Sequence, residues 1–127
     1  MTCSPHELLV AAQTIAEKCE CKVASDAITR AIISRVYYAC YHHALLLAQN
    51  AGFNRQDERN GVAGVSKAGD HELLIRYMCK SSQVELRKCG VKLDKMRTHR
   101  RRADYFLDEG LNVTAPQIMA SAKNLMI

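Results

Sequence analysis

The residues able to do chemistry gather in one window. Between Arg87 and Arg102 the chain carries Arg87, Lys88, Lys92, Lys95, Arg97, Arg100, Arg101 and Arg102 against Asp94 alone, eight cations to one anion and a net +7. The whole chain is only +5, so the remainder is slightly acidic. A local cationic patch fits a polyanion such as RNA, whose phosphates release counterions when Lys and Arg neutralise them. A solvated helix face is the plain alternative. Within the window Leu93, Met96, Arg100, Ala103 and Leu107 are spaced three, four, three and four, the stripe a helix turns toward a core. Arg100 thus stands where an apolar residue belongs. A buried lone charge is costly, so Arg100 either pairs with Asp104, four residues on, or points into a cleft between helices or subunits. His99 and Tyr105 flank it. An imidazole titrates near neutrality and can move protons there, whereas a phenol, with a pKa of about 10, is a poor general base. Arg35 and His42 form a second pair, seven residues and two helical turns apart, and so share a face. They are candidates for lining the same cleft from another helix; otherwise His42 and His43 are packed or surface histidines.

Other chemistries find no purchase. The chain has no phosphate-cradling glycine loop, no nucleophile elbow and no metal-protease pair. Cys19 and Cys21 lack the two-residue spacing of a zinc knuckle, so neither metal nor cofactor is expected. The six cysteines, Cys3, Cys19, Cys21, Cys40, Cys79 and Cys89, are an even number that invites disulfides. The N-terminus, however, has no basic stretch followed by an apolar run, and several cysteines fall where a helix would bury a small side chain. The expectation is reduced thiols in a cytoplasmic protein. No apolar run approaches the ~20 residues of a membrane span.

The elements that must position these residues read as helices throughout. At 127 residues, 48% hydrophobic and 24% charged, the chain is one domain, 1–127, able to bury a core. Ser4-Pro5-His6-Glu7 is a capping box with proline at the first helical position, followed by Leu8, Leu9, Ala12, Ile15 and Ala16 at helical spacing. Ser25 or Asp26 caps a long second helix through Ile28, Ile32, Val36, Ala39, His43 and Leu46, stopped at Gly52. Its Tyr37, Tyr38 and Tyr41 read as packing residues with surface hydroxyls, or, more sharply, as a base-stacking platform. Residues 53 to 69, polar and glycine-containing, read as a loop. Asp70 is expected to cap a short helix through Leu73, Leu74, Tyr77 and Met78. Ser82-x-x-Glu85 reads as a second capping box, starting a helix that pauses at Gly90 and resumes from Val91 to Leu107. Thr114 and Pro116 open a last short helix. The sum is an all-α, antiparallel bundle of four to five helices with one long loop.

Three segments carry a family likeness. Ser34-Arg35-Val36-Tyr37-Tyr38-Ala39-Cys40-Tyr41-His42-His43-Ala44 resembles the long-helix signature of HEPN domains. His71 heads a helix after a glycine-containing loop, as in many members. Arg100-Arg101-Arg102-Ala103-Asp104-Tyr105 resembles the family's late-helix segment, which reads Arg-Asn-x-x-x-His in ribonuclease members and ends in Ala-Asp-Tyr in another subgroup. The likeness spans roughly residues 25 to 107.

That resemblance implies a homodimer in which late helices face each other, and a metal-independent endoribonuclease whose arginine and histidine act on the RNA backbone to leave a 2′,3′-cyclic phosphate. It implies a toxin–antitoxin or phage-defence setting, with a nucleotidyltransferase-like antitoxin as partner. Arg100 takes the place of the family arginine, and Tyr105 stands where the histidine belongs. The implied catalytic set is Arg100, Tyr105, His99 and Asp104, with Arg97, Arg101, Arg102 and Lys95 binding RNA and Arg35 and His42 contributing from the second helix. The alternative is a non-catalytic module that keeps the fold, dimerises, and binds RNA, nucleotide or a partner protein.

Overall fold

The long helix expected between Ser25 and Gly52 is the column on which the others lean. A computed structural model describes residues 2–18, 25–61 and 69–126. Six helices run through them: α1 (Pro5–Lys18), α2 (Ser25–Asn50), α3 (Arg55–Gly61), α4 (Asp70–Cys79), α5 (Val84–Tyr105) and α6 (Ala115–Leu125). The fold is an all-helical bundle, with no strand among the described residues. α2 touches α1, α4, α5 and α6. It buries Ile32, Ile33, Val36, Tyr37, Cys40 and Ala44 among them. Because apolar residues occur all round α2, it reads as a central helix and not as a surface one.

Side-chain contacts fix the directions. Arg30, near the start of α2, binds carbonyls at the end of α5, and Leu47 and Asn50, near the end of α2, meet Gln83 and Leu86 at the start of α5. The two helices are therefore antiparallel. α4 is antiparallel to α5 as well: Gly90 lies against Met78 and Cys79, and His71 at the other end of α4 feels Arg97 and Arg100. α6 packs on α5, with Asn124 and Lys88 lining one cavity and Ala120 and Lys95 the next.

Where the structure departs from sequence expectation, local physics explains it. The polar stretch 53–69 contains α3, so six helices replace four or five. Arg55–Gly61 has no apolar stripe to betray it. It is held instead by the Asn54 side chain, which accepts from the Gln56 and Asp57 amides at 2.9 and 3.1 Å, and by ion pairs from Arg55 and Arg59 to Asp70. That recruitment takes Asp70 out of its expected capping role: it is the first residue of α4, and Gly69 is the N-cap without a side-chain bond. Gln83, and not Ser82, is the N-cap of α5, again without a side-chain bond. α5 also does not pause at Gly90. A β-carbon there would sit 2.7 Å from Met78 Cβ and 3.1 Å from the Cys79 amide nitrogen, so the glycine is the price of close α4–α5 approach. α5 ends at Tyr105, which leaves Leu107 beyond the helix and exposed. The Thr114 capping box with Gln117 forms, as does the Ser4 cap on the Glu7 amide.

Cys3, Cys40, Cys79 and Cys89 are free thiols, and burial pushes Cys40 up to about 12. Cys19 and Cys21 lie outside the described residues. Among the described residues no helix is long and apolar enough to cross a membrane.

Candidate functional site

Arg100 is reached by following the core stripe of α5. Leu93, Met96 and Ala103 are buried on either side of it, and the Arg100 side chain is only 9% exposed. The chain solves this buried charge with a ring of aromatic faces. The guanidinium carbon lies 5.2, 5.6 and 5.3 Å from the ring centroids of Tyr37, Tyr38 and Tyr105. Each cation–π contact contributes about 0.5–2 kcal/mol, more where water is excluded. Nη1 donates to the Tyr105 hydroxyl at 3.0 Å and lies 3.6 Å from Asp104 Oδ2. Asp104 also accepts from Ser34 Oγ at 3.1 Å, which ties α2 to α5 beside the cation. Of the two alternatives open on sequence grounds, the pairing with Asp104 is present, and the guanidinium is enclosed by side chains of α2 and α5.

Opposite Arg100 stands His71, delivered by the first turn of α4. Its ring stacks on Tyr41 with centroids 4.1 Å apart and planes 18° off parallel. Tyr38 meets it edge-on at 5.9 Å. Its Nδ1 lies 2.7 Å from the Tyr37 hydroxyl. Tyr37 is fully buried, and burial pushes its phenol well above the usual range, so it keeps its proton. A buried O–H needs an acceptor. Nδ1 is the partner the Tyr37 hydroxyl has among the described residues. The Tyr37 hydroxyl therefore donates, Nδ1 accepts, and the neutral ring carries its proton on Nε2. Burial, and then the nearby Arg100 and Arg97 cations, hold the His71 pKa below its usual value, with Asp70 opposing and His42 adding a small push in the same direction.

Arg97 lies one turn before Arg100 on the same side of α5, near enough to act on Tyr37 and His71. The Nε atoms of Arg97 and Arg100 are both buried without a hydrogen-bond partner among the described residues. Two such donors, with the Tyr105 hydroxyl and the His71 ring, form a set suited to an oxyanion.

The other expected site residues are dispersed by helical geometry. Lys95 and His99 turn toward α6, in a groove with Ala120, Ser121 and Asn124, and do not meet Arg100. Arg101 faces outward near Thr98 and Phe106. Arg102 bends to the following loop, donating to the Gly110 carbonyl at 3.0 Å and lying 4.0 Å from Glu109. Arg35 and His42 are exposed on α2; His42 meets the Tyr41 ring edge-on at 5.3 Å, at the rim of the cluster. So Arg97, Arg100, Asp104 and Tyr105 come together, and His99 and Lys95 do not join them. Tyr37, Tyr38, Ser34 and His71 complete the site. Composition cannot find them, because they come from α2 and α4, far from the basic window. Tyr37 and Tyr38 stand out in the sequence as part of an aromatic cluster, while for Ser34 and His71 the signal is the family likeness, which marks the same two segments.

Among the described residues no cluster of His, Cys, Asp or Glu is arranged to hold a metal ion. Comparison with protein-family models, with curated proteins and with solved structures finds no match to this chain.

Proposed function

We propose that this chain is a HEPN-like RNA-targeting protein whose aromatic cluster between α2, α4 and α5 holds a phosphate of the RNA backbone. The observation that carries this reading is the meeting of Arg100 and His71 among the rings of Tyr37 and Tyr38, with Arg97 one turn away and the Nε atoms of Arg97 and Arg100 buried without hydrogen-bond partners among the described residues. Arginine presents a fixed fork of donors matched to phosphate. Tyr105, two-thirds exposed, occupies with its hydroxyl the place at Nη1 that a phosphate oxygen would take. RNA entry then requires Tyr105 to swing outward, a motion its exposure permits. In this reading the protein acts as a cytoplasmic homodimer within a toxin–antitoxin or phage-defence system, held in check by a nucleotidyltransferase-like antitoxin.

A second reading adds cleavage, and the placement of His71 favours it. The residue at the family's histidine position is Tyr105, yet a histidine reaches the same cluster from α4. A bound phosphate would offset the Arg97 and Arg100 cations, lift the His71 pKa and favour the imidazolium. Its Nε2–H would then give a proton to the departing 5′-oxygen as the P–O5′ bond breaks, while the 2′-hydroxyl passes its own proton to solvent water and its oxygen closes on phosphorus. The side chains do this without a metal.

The test is titration of a fluorescent oligoribonucleotide at two salt concentrations, followed by incubation with mixed RNA in chelator. Arg100→Ala and Arg97→Ala should each weaken binding at least tenfold, and each should lower the salt slope by about one. Cyclic-phosphate ends that vanish in His71→Ala support cleavage. Intact RNA with binding preserved selects the non-catalytic module. Unchanged binding in the Arg97→Ala and Arg100→Ala double variant would sink both.

A further inference from the structure

The second face of α5 carries a different pattern. Lys88, Lys92, Lys95 and His99 are spaced four, three and four, one stripe of the helix, and all four line the groove between α5 and α6. Two adjoining cavities of about 600 and 380 Å³ make up this groove, sharing Lys92 and Asn124 in their walls. The arginines of the protein are largely spoken for: Arg30, Arg55, Arg59, Arg76, Arg100 and Arg102 each lie within 4.0 Å of a carboxylate. Lys88, Lys92 and Lys95 are exposed and have no ion pair among the described residues. Glu85, at one end, is the only acidic side chain in the groove walls.

The floor between these cations is apolar. Leu86, Cys89, Met96 and Leu125 are nearly buried there, and Leu47, 40% exposed, continues it toward the end of α2. Apart from His99, neither cavity has an aromatic ring among the described residues of its walls. A single nucleic-acid strand would find phosphate partners here but only one ring to stack on, whereas the cluster around Arg100 is built of aromatic rings. A cationic rim over an aliphatic floor complements a peptide with acidic residues on one edge and aliphatic residues on the next.

We propose that the α5–α6 groove binds an acidic, amphipathic helical segment of a partner protein. Its carboxylates would recur at the same four- and three-residue spacing as the lysines. Along α5 the cations rise by about 6, 4.5 and 6 Å, and a helix laid beside it repeats its own side chains at the same rise. From Glu85 to His99 the groove runs about 21 Å, close to four helical turns. The aliphatic edge of the segment would cover Leu47, Leu86 and Leu125. The site lies on a separate face from Arg100, so this inference does not depend on the RNA reading.

The probe is a synthetic, helix-favouring peptide of about four turns, with glutamates spaced four and three and leucines on the adjoining edge. It is titrated into the full chain by anisotropy and by backbone amide shifts. The amides of 85–99 and 120–125 should move, and Lys88→Gln, Lys92→Gln and Lys95→Gln together should weaken the peptide at least tenfold. Arg97→Ala should leave its affinity unchanged. Those lysines are exposed, so the triple variant should keep the parental circular dichroism. No saturable binding, equal binding by the triple variant, or shifts mapping to the aromatic cluster would each overturn the proposal. So would an oligouridylate that moves the groove amides more strongly than the peptide does, since the groove would then be an RNA surface. None of these failures touches the effect of Arg100→Ala on RNA.

Discussion

At the scale of single residues, the aromatic box makes the protonation of His71 a reporter of the fold. In the unfolded chain its imidazole titrates near the ordinary 6.5, and in the folded protein burial and the Arg100 and Arg97 cations place it lower. Between the two values the unfolded state binds more protons, so stability rises with pH across that interval. The contribution is complete above about 6.5 and is lost as pH falls through the folded value. Protonation also ends acceptance of the Tyr37 hydroxyl by Nδ1. His43 shifts in the same direction, through burial and then the neighbouring His6, so it must be separated. Urea unfolding from pH 7 to pH 5 should therefore show falling stability in the parent. The fall should be shallower in His71→Gln than in the parent, and further reduced when His43→Gln is added. A parental slope retained in His71→Gln would mean that the ring is not buried among these cations. Much of this arrangement was hidden in the sequence. Arg100 on an apolar stripe announced itself, because a charge at a core position breaks the pattern. His71 did not, because a histidine at the start of a short helix breaks no pattern at all. The three tyrosines read first as packing residues with surface hydroxyls; in the structure Tyr37 and Tyr41 are buried, and Tyr37 turns its hydroxyl to His71 and not to the surface.

At the scale of elements, the position of Arg100 and Tyr105 depends on how α5 ends. The last carbonyls of a helix lack intrahelical donors and carry the negative end of its dipole. Here a guanidinium from α2 adds to the backbone bonds that the Arg102 and Phe106 carbonyls accept from the Phe106 and Glu109 amides. Arg30, 7% exposed, donates to the carbonyls of Arg102, Ala103 and Phe106 at 3.0, 3.2 and 3.3 Å, and also to that of Glu109. Asp26, one turn earlier, pairs with its Nε at 2.7 Å. Replacing Arg30 with Ala should cost about 2–4 kcal/mol, since several charge-assisted bonds go together. Lys, a point charge without the fork, should recover less than half of that loss. Denaturant unfolding measures both, and hydrogen exchange should show the amides of 102–106 opening first. A loss below about 1 kcal/mol would mean that water replaces the guanidinium. Nothing in the sequence marked Arg30, because a C-terminal cap borrowed from a distant helix leaves no local trace. The large helices were legible for the opposite reason: their apolar spacing and the Ser4 and Thr114 caps are local. α3 was not, because ion pairs to Asp70, and not an apolar stripe, fasten it.

At the scale of the whole molecule, the aromatic cluster around Arg100 adjoins exposed apolar residues at the end of α5. Tyr105, Phe106 and Leu107 are 66, 42 and 70% exposed at the end of α5, and Tyr38, 37% exposed, adjoins them across Arg100. Single exposed apolar residues are ordinary, but a contiguous group beside a charged cluster marks a contact surface. A two-fold axis through this region would set each copy's patch against itself and bring both copies' Arg97, Arg100 and Arg101 to one seam. In such a dimer the like charges would repel across the seam, and an RNA backbone entering between them would relieve the repulsion. Dimerisation and RNA binding should then strengthen each other, as linkage requires. Light scattering at micromolar concentration should return twice the 14.2 kDa chain mass. Leu107→Glu adds a carboxylate to the patch without touching Arg100. It should shift the protein toward the monomer and weaken RNA binding in proportion, with the deficit shrinking as protein concentration rises. A strict monomer at every concentration, with or without oligoribonucleotide, would confine the chemistry to one chain. Arg97, Arg100 and His71 of that chain would then have to hold the phosphate alone.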